Sequence, residues 1–191
     1  MSAVVLATRV GGAAGSRAAA AALACAASEP DRAALLVDLE EGGRRRSTLV
    51  ATSGARALEE RVVAHMPDAA VASRGRFCQL TLASQPTAIE SLAAALPLSR
   101  EAVAVVHLPP DLLRAALAAP SVRPSAVLLR ADLADDRALT ALAVRDLIDR
   151  GLRAAVLKHR LGWMTERAAL LGALPGDAPG IPRPLSFSSK A

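Results

Sequence analysis

Residues 4–40 constrain the fold of this chain more than any other stretch. Val4-Val5-Leu6-Ala7 is an apolar run, Gly11-Gly12-Ala13-Ala14-Gly15-Ser16 a glycine-rich turn, and the alanine-rich segment through Ala27 a helix. A second apolar run, Ala33-Ala34-Leu35-Leu36-Val37, closes on Asp38-Leu39-Glu40. The order is strand, turn, helix, strand. Glycines in a turn of this kind let backbone N–H groups and a helix N-terminus come close to an anion.

The rest of the chain continues the alternation. Glu41 to Ser53, with the Arg44-Arg45-Arg46 triplet, reads as an exposed loop, and Gly54 to Met66 as a helix stopped by Pro67, with His65 favoured near its C-terminus by the dipole. Phe77 to Leu82 alternates apolar with polar, which suits a strand at the edge of a sheet. A helix over 87–96 precedes Ala102-Val103-Ala104-Val105-Val106-His107, whose unbroken β-branched run marks a strand buried on both faces. Pro109-Pro110 turns the chain out of the sheet into a short helix over 111–118, followed by the strand Ala126-Val127-Leu128-Leu129. Asp132 to Arg150 reads as a helix capped by Asp132 or Asp135, with Thr140, Ala143, Val144, Leu147 and Ile148 as its apolar stripe and Gly151 as its stop. A strand at Ala154 to Leu157 and a helix near Met164 to Leu174 complete the series. Trp163 reads as a cap over the sheet edge, and the Pro/Ser-rich residues 175–191 as an extended tail. Strands and helices alternating at this spacing predict a three-layer α/β domain over 1–174, a mostly parallel sheet with helices on both faces and functional groups at the carboxyl ends of its strands.

Composition removes several classes of function. With two Phe, one Trp and no Tyr among 191 residues, the core is aliphatic and single-strand nucleic-acid stacking platforms are excluded. The net charge of +5 comes from scattered arginines interspersed with acids rather than from one basic block. Cys25 and Cys78 stand too far apart in sequence for a zinc-site spacing and are expected to be two buried thiols. No stretch has the apolar length of a membrane span, and Val4 to Ala7 reads as a buried strand rather than a leader, so a cytoplasmic location is expected.

Taken in order, the strand ends resemble the motifs of the ParA/MinD-like ATPases, the deviant Walker A branch of P-loop proteins. Leu35 to Glu40 is similar to that family's strand ending in Asp-x-Asp, Val103 to Pro110 to its Walker B strand, Val127 to Arg150 to a later strand and helix, and Val156 to Arg160 to its strand ending in Asn-Arg. The departures fall on the chemistry. A phosphate loop needs a Lys for the β/γ-phosphates and a hydroxyl for Mg²⁺, whereas Gly11, Gly12, Gly15, Ser16 and Arg17 occupy that region and the only lysines are Lys158 and Lys190. Arg9 lies one residue from the family's signature Lys. His107 stands where the Walker B Asp belongs, and an imidazole is a poor ligand for Mg²⁺. Lys158-His159 replaces the base-reading Asn, leaving Asp38 and Glu40 as the acidic positions that keep their type.

The resemblance implies a P-loop NTPase-like fold with a vestigial nucleotide or anion site, no catalytic residue and no metal ligand. Its cofactor expectation is none, or a weakly held nucleotide or anion at the loop amides. The function expected is that of a non-catalytic pseudo-ATPase acting by protein–protein contact, of the CpaE/TadZ kind that positions pilus-assembly, partition or division machinery, with itself as a homodimer and another protein as partners. Two alternatives are an ATPase in which Arg17 or Arg9 replaces the Lys and Asp38 holds the metal, and nonspecific DNA association, which the mixed signs of Arg145, Asp146, Asp149 and Arg150 disfavour. Prolines in the tail speak against an amphipathic membrane anchor there.

Overall fold

β-Branched and leucine-rich runs separated by helices fold here into one sheet. The structure is a computed structural model that describes residues 3–11, 15–29, 31–39, 50–82, 87–99, 103–132, 137–160 and 167–170. Its strands are β1 (Val4–Arg9), β2 (Ala34–Asp38), β3 (Ala70–Arg74), β4 (Phe77–Thr81), β5 (Ala104–His107), β6 (Ala126–Asp132), β7 (Arg153–Arg160) and β8 (Arg167–Leu170). Its helices are α1 (Ser16–Ala27), α2 (Ser53–His65), α3 (Ala88–Ala95), α4 (Pro110–Ala118) and α5 (Arg137–Asp149), with a 3-10 turn over Leu96–Ser99. The sheet order is β3-β4-β2-β5-β1-β6-β7-β8, parallel except where β3 joins β4 and β8 joins β7.

Alternation along each strand sorts the side chains onto two faces. On one face Leu6, Leu35, Val37, Leu80, Val106 and Leu129 pack with α2, α3, α4 and α5 through Leu58, Leu92, Ala116 and Leu147. On the other, Val5, Ala7, Leu36, Val105 and Leu128 pack against Ala20 and Ala24 of α1. The three-layer arrangement expected from the sequence is therefore present. Continuing the same alternation carries Asp38, Gln79, His107 and Arg130 to the α1 side at the carboxyl ends of their strands.

Several local expectations are corrected. β4 is an interior strand, held by β2 on one side and β3 on the other, and its Gln79 is buried because the amide has a buried acceptor. The edge is β3, which the sequence reading missed; Gly75, at φ 56, makes the tight turn that folds it onto β4. Residues 167–170, expected in a helix, run antiparallel to β7 instead, pairing their backbone with its open side. Asp132 ends β6 rather than capping a helix. α5 turns Thr140 and Leu147 to the sheet, while Ile148, one position round the helix, is 59% exposed. Cys25 is exposed and only Cys78 is buried. The Arg44–Arg46 triplet, Asp135, Trp163 and the tail over 175–191 lie outside the described residues. Among the described residues, no helix is long and apolar enough to cross a membrane.

Two outcomes follow from this packing. Leu147→Ala opens a cavity and is expected to cost about 2–5 kcal/mol in urea unfolding, whereas Ile148→Ala is expected to stay within about 0.5 kcal/mol; equal effects would mean that α5 is rotated. Burial, with a smaller contribution from the Glu59 carboxylate, pushes the Cys78 thiol from 9.0 up to about 12. Between those values the unfolded chain loses this proton and the folded chain keeps it, so Cys78 makes stability fall as pH rises. At pH 8 a thiol reagent is expected to modify Cys25 and spare Cys78 until the protein unfolds; comparable native rates would contradict the burial.

Candidate functional site

The carboxyl ends of β1, β2 and β5 meet the N-terminus of α1. Gly15 precedes the helix at φ 84, a backbone conformation that a side chain would strain, and an added Cβ would stand 3.7 Å from Nε of Arg130. No side chain caps the helix, and its first intrahelical bond runs from the Ala19 amide to the Gly15 carbonyl at 3.0 Å, with the amides of residues 16–18 ahead of it. The buried residues of α1 are Ser16, Ala20 and Ala24, spaced four apart on the face that meets the sheet. Two alanines let the helix lie close, and Ser16 therefore points at the strand ends.

β5 lies between β1 and β2, with His107 in register with Ala7 on one side and with Asp38 on the other. The Ser16 Oγ is 3.0 Å from His107 Nε2, and His107 Nδ1 is 3.0 Å from Asp38 Oδ1. The second carboxylate oxygen of Asp38 meets Arg17 Nη2 at 2.5 Å and accepts a hydrogen bond from Gln79 Nε2 at 3.2 Å. A carboxylate oxygen only accepts, so the proton of a neutral His107 ring is assigned to Nδ1, Nε2 accepts, and the Ser16 hydroxyl donates. Ser16, His107 and Asp38 are 4%, 1% and 0% exposed, while the Arg17 side chain is 35% exposed. The charge of Asp38 is thus buried with a cation that reaches solvent.

Of the residues expected at the site, Ser16, Arg17, Asp38 and His107 converge, Gly15 opens the helix beside them, and Gly11 lies in the turn after β1 at φ 59. Gly12 and Glu40 lie outside the described residues. Arg9 is in register with Arg130 one strand away from His107. Sequence reasoning missed Gln79 as a member, and Arg130, although at one of the strand ends expected to carry functional groups, was given no role. Gln79 was visible as the one amide in its strand, and Arg130 as a charge closing a buried one. Arg130 is buried and donates from Nη1 to the carbonyls of Ala131 and Leu157 at 3.5 and 3.4 Å.

The donors present do not suit a magnesium-bound triphosphate. In sequence every lysine lies at or beyond Lys158, and the His107 imidazole is already bonded to Ser16 and Asp38. Among the described residues, no three His, Cys, Asp or Glu side chains converge as metal ligands would. Comparison with protein-family models and with curated proteins gives no match.

The site's own stability has a readout. Asp38→Asn keeps the shape but removes the charge that Arg17 and His107 share, and is expected to cost about 1–3 kcal/mol in urea unfolding. Arg17→Ala leaves the buried carboxylate to His107 and Gln79 and is expected to cost about 1–3 kcal/mol as well. A neutral Asp38→Asn would remove Asp38 from the centre of the network.

Proposed function

We propose that this chain is a nucleotide-fold protein that does not hydrolyse ATP and works by contact with other proteins and with a second copy of itself. The reading rests on one observation: the side chains that the resemblance aligns with phosphate and metal positions are bonded to one another, Ser16 to His107, and His107 and Arg17 to Asp38. Phosphoryl transfer needs cations and a metal aimed at the transferring group, and each such clamp is worth orders of magnitude in rate. Here the guanidinium of Arg17 meets a carboxylate instead, and that of Arg130, beside Gly15, donates to the Ala131 and Leu157 carbonyls. For Asp38 to hold a metal it would have to give up Arg17 and His107 in a buried setting, which is costly.

The fold supports the rest of the reading. From β1 the chain crosses by α1 to β2 on one side, and from β5 it crosses by α4 to β6 on the other, so the order reverses at the strand ends that carry these residues. In parallel sheets that reversal is where ligands are bound. Positioning proteins of the ParA/MinD-like kind pair across the same end of the sheet, and a homodimer formed without nucleotide belongs to this proposal. A CpaE/TadZ-like role in placing pilus-assembly, partition or division machinery is the process it fits.

Calorimetry with ATP and Mg²⁺ is expected to show no micromolar binding, and a phosphate-release assay no turnover above the buffer rate, while sedimentation over a concentration series shows a dimer. Magnesium-dependent micromolar binding would overturn the first half of the proposal, and a monomer at every concentration the second.

A further inference from the structure

The contacts that engage Ser16, His107 and Asp38 with one another also compose a different chemistry. A hydroxyl bonded to an imidazole, whose other nitrogen is bonded to a buried carboxylate, is the arrangement that activates serine for nucleophilic attack on any fold, recognised by geometry rather than by position in sequence. Both bonds are 3.0 Å long, within the range such a relay needs. The carboxylate is fixed from two further directions, by Arg17 and by Gln79, so its Oδ1 stays aimed at Nδ1. The serine opens α1 directly after a glycine at φ 84. In that place the first turn of α1 brings amide donors and the positive end of the dipole to the spot where an oxyanion would form.

We propose that Ser16 is a nucleophile, with His107 as its general base and Asp38 as the positioning residue, and that its substrates are short-chain carboxylic esters. This goes beyond the contact function above and does not depend on it. Oγ of Ser16 bonds to the ester carbonyl carbon while its proton passes to Nε2 of His107. The tetrahedral adduct then collapses, the alkoxide leaves with that proton as an alcohol, and an acyl-Ser16 remains. Water, deprotonated by His107, attacks the acyl carbon; Oγ leaves and recovers the proton, releasing the carboxylic acid. Ester and water thus become acid and alcohol, with no other reactant. Ser16 is 4% exposed, so the smallest acyl groups are the ones to test.

The test is labelling of the full chain, without nucleotide, by a small alkyl fluorophosphonate, whose phosphorus takes Oγ as fluoride leaves. Peptide mass spectrometry is expected to place the adduct on Ser16, forming at least about 100-fold faster than in the urea-unfolded chain, the acceleration a positioned general base supplies. Ser16→Ala is expected to abolish both the adduct and the hydrolysis of p-nitrophenyl acetate above background, and His107→Gln, checked for folding by circular dichroism, to return labelling to the unfolded-chain rate. Labelling of the native wild-type chain no faster than the unfolded one, or an adduct on another serine, would overturn the proposal, and that comparison stands even if the His107 variant fails to fold. Neither result bears on ATP binding or dimerisation.

Discussion

A carboxylate with no solvent exposure is the interaction around which the functional end of this sheet is arranged. An ionised carboxylate in such a place is expensive unless it is paired and hydrogen-bonded. Asp38 meets that requirement with three side chains from three other elements: Arg17 from α1, His107 from β5 and Gln79 from β4. Each of those elements is thereby tied to β2. The strand order makes this possible, because β2 sits between β4 and β5 and the helix following β1 packs over β1, β2 and β5. Moving any one of the four elements strands a buried charge, so the polar end of the sheet is specified more tightly than aliphatic packing alone would specify it.

Much of this was legible from residue order. Uninterrupted apolar runs flagged β1, β2, β5 and β6, and the glycine-rich turn marked the start of α1, because these signals are local. What escaped depends on partners distant in sequence. β3 is a weakly patterned strand, Ala70-Val71-Ala72-Ser73-Arg74, fixed by pairing with β4 and by the Ser73 amide bonded to Glu59 of α2. Residues 167–170 have too few apolar positions to declare a period, and the open side of β7 decides their conformation. Gln79 looked like the wet face of an edge strand because polarity was visible in the sequence and its buried acceptor, Asp38, was not. The helix read over Asp132 to Arg150 is observed as α5 over Arg137–Asp149, with Asp132 in β6, and its stripe was drawn one residue too wide, at Ile148, since periodicity does not say how far a helix overhangs the sheet.

The site shows the same division. Ser16, Arg17, Asp38 and His107 each stood out as a departure at a strand end or turn, one by one. Their convergence was not readable, because β5 enters the sheet between β1 and β2 although its sequence comes long after both. A residue read as a lost metal ligand turned out to be a bridge between a hydroxyl and a carboxylate. Chemical type was legible in the chain; partnership was a property of topology.

The alanines of α1 link the packing to the chemistry. Ser16, Ala20 and Ala24 form one buried line, and the two alanines touch the face built from Val5, Ala7, Leu36 and Val105. A helix standing on methyl groups approaches a sheet more closely than one standing on leucines, and close packing leaves little room to adjust. That approach sets the height of the first turn above β5, and hence the 3.0 Å between Oγ and Nε2. Larger side chains at Ala20 or Ala24 would lift the helix and lengthen the contact without touching any polar group. Arg17, the next residue, turns away from this line and reaches Asp38 from the solvent side. The alanine-rich composition of this segment, a helix signal by propensity, therefore has a geometric role as well: it determines which groups meet at the end of the sheet, and at what distance.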